Sequence, residues 1–398
     1  MHTSAADFPE LRLKPREDRR LRAGHLWVYS NEVDTAATPL QDLSPGAIVR
    51  LVSAEGRSLG YAGVSPNSLI VARILSRDAA HAPDRSLFVH RLKVALALRE
   101  RLYGQGCYRA LFADGDGVPG LIADRFGEFV VLQAGTAAIE AMKGEVVDAV
   151  RKVLAPAGIL WRNDSAARKL EGLERYVEVA DGEVPDEVAV MEGGVEFRAP
   201  LRTGQKTGWF YDQRDNRARF ARYQPASVLD VFSYTGAWGL AAATRGARAT
   251  LVDSSEPALD VAARTAQQLG LEVETLQGQA FDVMKALGDE GRSFDAVVVD
   301  PPAFIKRRKD QKTGLAAYQR ANQLAMRLLG RDGLLVSCSC SFHLSQDDLL
   351  LAIQRAARHL GRTVQVLEIG GQSADHPSHP LIPETRYLKA VFCRVLPE

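Results

Sequence analysis

Two rhythms of apolar and polar positions divide the chain. In the N-terminal part short apolar runs alternate with turns. Residues 47–52, 59–64 and 69–75 read as strands, separated by Ser53-Ala54-Glu55-Gly56 and by Pro and Asn. Closely spaced strands with turn signals between them predict a small β-barrel over residues 1–80. A helix follows over 86–103, with Leu87, Leu92 and Leu96 near helical spacing. Residues 121–133 predict a hairpin turning at Gly127, and 137–154 a helix stopped ahead of Pro156. Strands at 159–162 and 188–197 complete a central α+β domain, residues 81–200. From Ser227 the rhythm becomes strand, helix, strand: strands at 228–232, 249–253, 294–300 and 334–338, helices at 237–245 and 257–269. These strands are continuous apolar runs rather than alternations, which predicts a parallel sheet covered on both faces. The fold class is α/β, with a doubly wound domain over 201–398 whose ligands belong at the carboxyl ends of the strands.

Composition narrows the picture. At 398 residues the chain is too long for one ordinary core. Its hydrophobic fraction of 46% and charged fraction of 25% are those of a soluble globular protein. With a net charge of +1, any nucleic-acid surface must come from local clusters. One cluster leads into the barrel: Arg12, Lys14, Arg16, Arg19, Arg20 and Arg22. Cys107, Cys338, Cys340 and Cys393 show neither metal-ligand spacing nor a disulfide framework. Met1 to Glu10 is polar, with no apolar signal core, and no apolar run reaches membrane-spanning length. Cytoplasmic location is the expectation.

Three acids follow three β-elements in order. Asp230 precedes Phe232-Ser233-Tyr234-Thr235-Gly236-Ala237-Trp238-Gly239, where a strand hands over to a helix. Its glycine spacing is not the dinucleotide fingerprint, so a pyrophosphate cradle is disfavoured; Gly236 and Gly239 instead allow backbone to approach a ligand. Asp230 suits the amino-acid part of a sulfonium cofactor. Asp253 ends the next strand, where an acid can accept from ribose hydroxyls, and Asp282 can accept from an adenine amino group. Each alone is more often a solvated loop carboxylate; the ordered series is what carries weight. Upstream, the segment 203–217 is dense in glycine, amides and charges and holds Trp209, Phe210 and Tyr211. It reads either as a surface loop capping a helix through Asp212 or as a cover for the cofactor with Phe210 against it.

The chemistry is expected at two further strand ends. Asp300-Pro301-Pro302-Ala303-Phe304 forms a stiff extended loop whose prolines lock φ and leave neighbouring carbonyls to meet a planar base. Ser337-Cys338-Ser339-Cys340-Ser341 ends a parallel strand at the same sheet edge. Carbon 5 of a pyrimidine is a poor nucleophile until a thiolate adds to carbon 6, which calls for a partly exposed, activated cysteine. The alternative is a pair of small buried apolar residues. After Phe304, the basic run Lys306-Arg307-Arg308-Lys309 reads as a solvated face or a phosphate clamp.

With these residues in hand the chain resembles the bacterial large-subunit ribosomal RNA cytosine-carbon-5 methyltransferases that carry an N-terminal PUA domain. The resemblance spans nearly the whole chain. It rests on Thr203-Gly204-Gln205-Lys206-Thr207-Gly208, Asp212-Gln213-Arg214-Asp215-Asn216-Arg217, Phe232-Ser233-Tyr234-Thr235-Gly236, Asp300-Pro301-Pro302 and Ser339-Cys340-Ser341. Ala374-Asp375-His376-Pro377 and Tyr387-Leu388-Lys389 also look like the family. It implies a PUA-like barrel holding structured 23S ribosomal RNA, a class I Rossmann-like domain, and S-adenosylmethionine as cofactor. The implied cofactor residues are Gln205, Phe210, Asp212, Arg214, Asp230, Phe232, Tyr234, Gly236, Asp253, Ser254, Asp282 and Asp300. The implied catalytic residues are Cys340, Asp300 and Pro301. Two cysteines compete for nucleophile. Aligning Gly333-Leu334-Leu335-Val336 with the family's strand-Ser-x-Cys-Ser pattern favours Cys340 and leaves Cys338 within the strand.

Other readings keep the fold. A purine nitrogen or uridine carbon 5 as target retains the cofactor, although the cysteines argue against the purine. A non-catalytic RNA-binding factor would retain only the scaffold. A homodimer is compatible with the sequence.

Overall fold

The computed structural model describes residues 8–104 and 106–398, so the polar N-terminal stretch read above falls largely outside it. Two compact units emerge. One takes the chain up to Asp186 together with Leu201–Trp209 and Asp375–Thr385; the other takes Glu187–Pro200, Phe210–Ala374 and Arg386–Glu398.

The first unit holds two sheets. β1 (Glu10–Arg12), β2 (Trp27–Tyr29), β3 (Ile48–Val52), β4 (Ser58–Val64) and β5 (Ile70–Ser76) form the sheet β1-β3-β4-β5-β2, with the short helix α1 at Arg19–Arg22. Leu11, Val28, Val49, Leu51, Ala62, Val71 and Ile74 fill its interior. The basic run beside it is largely spoken for: Arg20 reaches the buried Glu32 at 2.6 Å and Arg22 lies 3.6 Å from Asp18. The second sheet, β10-β9-β8-β7-β6, comprises β6 (Cys107–Phe112), β7 (Leu121–Phe126), β8 (Phe129–Ala134), β9 (Gly158–Asn163) and β10 (Tyr176–Gly182). β7 and β8 pair antiparallel around Gly127, which takes the left-handed φ of 62° that the tight turn needs. Helices α2 (Arg85–Leu102), α3 (Ala137–Ala141) and α4 (Lys143–Leu154) cover this sheet. The helix predicted over 137–154 is thus broken at Met142, whose φ of −100° and ψ of 23° leave the helical region. Inside the unit, Arg109 meets Asp124 in a fully buried two-pronged pair (2.8 Å each), and Thr207 donates to the same carboxylate at 2.5 Å.

In the second unit a hairpin of β11 (Glu187–Glu192) and β12 (Val195–Pro200) precedes α5 (Arg214–Phe220). The sheet that follows runs β15-β14-β13-β16-β17-β19-β18. Its strands are β13 (Ser227–Val231), β14 (Arg248–Asp253), β15 (Val273–Gln277), β16 (Phe294–Val299), β17 (Leu329–Ser339), β18 (Arg362–Gly370) and β19 (Lys389–Pro397). The helices are α6 (Ala237–Ala243), α7 (Glu256–Gln268), α8 (Ala280–Asp289), α9 (Gln311–Arg327) and α10 (Gln346–His359). β13 to β17 are parallel; β19 runs antiparallel between β17 and β18. The chain order therefore reverses at β13, and the carboxyl ends of β13, β14, β16 and β17 form one edge. Among the described residues no helix is long and apolar enough to cross a membrane.

Candidate active site at the carboxyl edge of the parallel sheet

Strand register places the expected residues in a row. Asp230 sits opposite Val298, Val299 opposite Ser337, and Cys338 opposite Ala390 across the antiparallel pair. The predicted strand 228–232 ends one residue early, because Phe232 turns to a left-handed φ of 63°; Tyr234 does the same at 51°. Two non-glycine residues in that region within three positions are costly, and such strain persists where the surroundings enforce it. Asp253 is the enforcer: its carboxylate accepts from the Tyr234 N–H (2.8 Å) and from the Ser255 N–H (2.9 Å). Gly236, at φ 78°, caps α6. The glycines were expected to let a ligand approach. The space Gly239 leaves is filled by Leu251 and by Asp230, whose Oδ2 accepts the Gly239 N–H at 2.9 Å. Their first service is helix-on-strand packing.

Around this loop the carboxylates accumulate. Asp230 is wholly buried, and its carboxyl is pushed up to about 7 by desolvation, despite the Gly239 N–H, with Asp300 and Asp253 adding repulsion. Desolvation and Asp212 likewise push Asp300 up to about 6, against hydrogen bonds from Trp238 and Gln213. Gln213 donates from Nε2 to both oxygens of Asp300 (2.9 Å each), and Trp238 Nε1 donates at 3.3 Å. Neither residue was singled out from the sequence, because an amide within a charged motif and a Trp on an apolar helix carry no distinctive spacing. The nearby cation, Arg217, is buried and bound in a two-pronged pair to Glu192. Buried and without hydrogen-bond partners are Asp230 Oδ1, Ser233 Oγ and Thr235 Oγ1. A surplus of buried carboxylates beside unfilled acceptors suits a cationic ligand carrying N–H or O–H donors.

The remaining expected cofactor residues divide. Asp212 is buried and accepts from the Tyr387 hydroxyl at 2.6 Å; its own carbonyl accepts from Ser373. Phe210 packs edge-on against Tyr234, ring centroids 5.4 Å apart. Arg214 lies over the Tyr211 ring and 3.6 Å from Glu192. Ser254 and Asp282 are exposed, the latter in the first turn of α8 beside the edge strand β15. Gln205 belongs to the first unit, exposed, in a turn where Gly208 N–H donates to its carbonyl at 2.9 Å.

The two cysteines separate cleanly. Cys338 is wholly buried within β17, and burial together with Asp300 raises its thiol well above the ordinary range. Cys340 comes just after the strand, half-buried, with Sγ 3.8 Å from the carbonyl oxygen of Pro301. The turn carrying it is held on both sides. Ser341 Oγ accepts from Ile305 N–H (3.1 Å) and lies 2.8 Å from the Tyr318 hydroxyl. Lys389 Nζ donates to the carbonyls of Ser341 (2.6 Å) and Leu344 (2.7 Å). Burial lowers Lys389 to about 8, while the negative charge Cys340 can carry acts to hold its proton. Lys389 was legible only as part of a tail resembling the family; opposite Ser339 in β19, it depends on a strand that the sequence assignment omits. Phe304 joins Phe232, Phe281 and Tyr318 in an aromatic cluster beneath the Asp300 loop.

A doubly wound sheet with this row at its switch point defines the second unit as a Rossmann-like methyltransferase domain. A family model described as a PUA-like domain matches residues 11–77, and one described as conserved hypothetical protein 95 matches 216–326. Ribosomal RNA large subunit methyltransferase I of Cronobacter sakazakii is 35% identical over 392 residues, covering 96% of this chain and 98% of its own. The same protein of Erwinia tasmaniensis is 36% identical with the same coverage. The chain belongs to the ribosomal RNA large subunit methyltransferase I family. Among solved structures, SMU.776, described as a methyltransferase complexed with SAH, superposes with a TM-score of 0.81 at 20% identity, covering 97% of this chain and all of its own. A SAM-dependent methyltransferase structure from Streptococcus mutans gives 0.80 at 21% identity, again over 97% and 100%. Both share the fold.

Proposed function

We propose that this chain is an S-adenosylmethionine-dependent methyltransferase of large-subunit ribosomal RNA that forms 5-methylcytosine in 23S RNA through a cysteine adduct. Family membership supports the coarser part. The observation carrying the finer part is the placement of Cys340: half-buried, past the end of β17 and against the Pro301 carbonyl, while Cys338 is sealed in the strand.

The 230–236 loop, Asp253 and Ser254 would hold the methionyl and ribose parts of the cofactor, with Phe210, Asp212 and Arg214 covering it and Asp282 at the adenine. S-adenosylmethionine supplies an electrophilic methyl group on a positively charged sulfur. Its sulfonium and ammonium charges suit the carboxylate surplus at Asp230, Asp253 and Asp300. Cys340 Sγ, as thiolate beside the Lys389 ammonium, adds to carbon 6 of the pyrimidine, and the carbon 5–carbon 6 π pair is displaced into the ring. Asp300, its carboxylate held by the Gln213 amide, would accept from the exocyclic amino group of cytosine and so orient the ring. Carbon 5, now nucleophilic, takes the methyl group. The methyl–sulfur bond breaks to leave a neutral thioether, and loss of the carbon 5 proton to water restores the double bond, breaks the bond from carbon 6 to Cys340 and returns the thiolate. Pro301 and Pro302 keep the loop extended at the same sheet edge as Cys340, so that the base would sit against both. The PUA-like barrel would grip structured RNA, and Lys306 to Lys309 its phosphates.

Substituting fluorine for hydrogen at carbon 5 removes the proton whose loss expels the thiolate. RNA carrying 5-fluorocytidine at the target should therefore trap wild-type and Cys338→Ala protein covalently, but not Cys340→Ala. Trapping by Cys340→Ala would overturn the assignment.

A further inference from the structure

The turn after Cys340 carries an exposed aromatic side chain. Phe342 is 38% exposed, the one Phe among the large apolar side chains at the surface of the described residues, and its ring stands 5.3 Å edge-on from that of His343. With Arg308, Gln311, Ser345 and Asp348 they line a recess of about 410 Å³. Leaving a Phe in water forgoes its burial energy, and here the backbone beneath it is fixed rather than mobile. Lys389 holds the carbonyls on either side, Ser341 and Leu344, and Ser341 Oγ ties the turn to Ile305 N–H in the loop that leads to Arg308. Ser345 closes the far end by capping α10, its hydroxyl accepting from Asp348 N–H at 3.0 Å. A rigid aromatic face with an imidazole at its edge and a guanidinium across the recess matches what single-stranded RNA needs: a flat surface for a base and a cation for the adjoining phosphate.

We propose that the recess bounded by Phe342, His343 and Arg308 is a subsite for the nucleobase neighbouring the methylated nucleotide, held by stacking on Phe342. The inference rests on the RNA methyltransferase reading above and adds where the strand lies once the target base has reached Cys340. Phe342 is two residues from that thiol, so the base it stacks is the next one along the strand rather than the target itself. Stacking reads the π-face of any base, so the subsite would position the strand without demanding one sequence. Asp348 bears the same negative sign as the phosphate and repels it, which places the backbone on the Arg308 side of the recess.

The test is single-turnover methylation and equilibrium binding of a ribosomal RNA fragment by wild type, Phe342→Ala and Phe342→Trp, each on intact RNA and on RNA made abasic at either neighbour of the modified nucleotide. Affinity should fall about tenfold for Phe342→Ala, the scale of a lost base–aromatic stack, and recover in Phe342→Trp. One abasic neighbour should cost wild type the same factor and cost Phe342→Ala little more. S-adenosylmethionine affinity and thermal melting should not change. Equal affinity of wild type and Phe342→Ala, or additive losses from the variant and from both abasic RNAs, would overturn the subsite. So would a defect seen with assembled ribosomal subunits only, which would point to a protein partner. A wild-type enzyme that methylates neither RNA nor subunits would instead sink the parent reading.

Discussion

Asp230 should destabilise the empty protein at neutral pH, and the size of that effect follows from its surroundings. The carboxyl is wholly buried, receives the Gly239 N–H on one oxygen and nothing on the other, and is held at about 7 instead of 3.8. Between those values the unfolded chain carries the charge and the native protein the proton. Native protein then binds more protons, so stability declines as pH rises through this window and levels off above about 7. The gap corresponds to roughly 4 kcal/mol at full development, and to roughly 1 to 2 kcal/mol at pH 5. Asn is isosteric, keeps an acceptor for Gly239 and carries no charge. Urea unfolding of ligand-free protein should therefore find Asp230→Asn more stable than wild type, with an advantage growing by about 2 to 3 kcal/mol between pH 5 and pH 8. The same substitution should weaken S-adenosylmethionine binding, and wild-type affinity for this cation should rise with pH through 6 to 7 while that of the variant stays flatter. A stability difference independent of pH, or a variant less stable at pH 8, would refute the reasoning.

Other consequences are smaller in scope. Asp253→Ala removes the acceptor that holds Tyr234 and Ser255, and should weaken cofactor binding by tenfold or more, on the scale of two charge-assisted hydrogen bonds; unchanged affinity by calorimetry would take Asp253 out of the site. Lys389, at about 8, loses its charge as pH rises past that value. The rate should fall on that alkaline side, and Lys389→Arg should move the fall to higher pH; an unmoved limb would make Lys389 a purely structural clamp. Replacing Lys306, Arg307, Arg308 and Lys309 by Gln should flatten the dependence of RNA affinity on salt, whereas an unchanged slope would mark the run as a solvated face.

Much of this architecture is legible before any coordinates. Buried parallel strands are continuous apolar runs, so β13, β14 and β16 announce themselves and fix where Asp230, Asp253 and Asp300 must lie. The half-exposed edge strand β18 lacks that signature, whereas β19 carries a buried apolar run, Ala390 to Cys393, that the strand assignment omits, and with β19 went the position of Lys389. The break at Met142 was hidden because apolar spacing continues across it. Local pattern also leaves one demand on the glycines unread: Gly239 in α6 is required by Leu251 on β14, and no local window records that. The separation of Cys338 from Cys340 follows from where β17 stops, a boundary that periodicity places only within a residue or two. The hydrogen bonds of Gln213 and Trp238 to Asp300 join positions far apart in the chain and leave no trace in spacing.

The central claim is cysteine-assisted methylation of a pyrimidine in large-subunit RNA. Its most direct test is methyl transfer from labelled S-adenosylmethionine to total ribosomal RNA from cells lacking this gene, followed by nucleoside analysis. Label in 5-methylcytidine of 23S RNA, abolished in Cys340→Ala and retained in Cys338→Ala, is the predicted result. Label in a methylated purine would keep the fold and cofactor but contradict Cys340 as nucleophile.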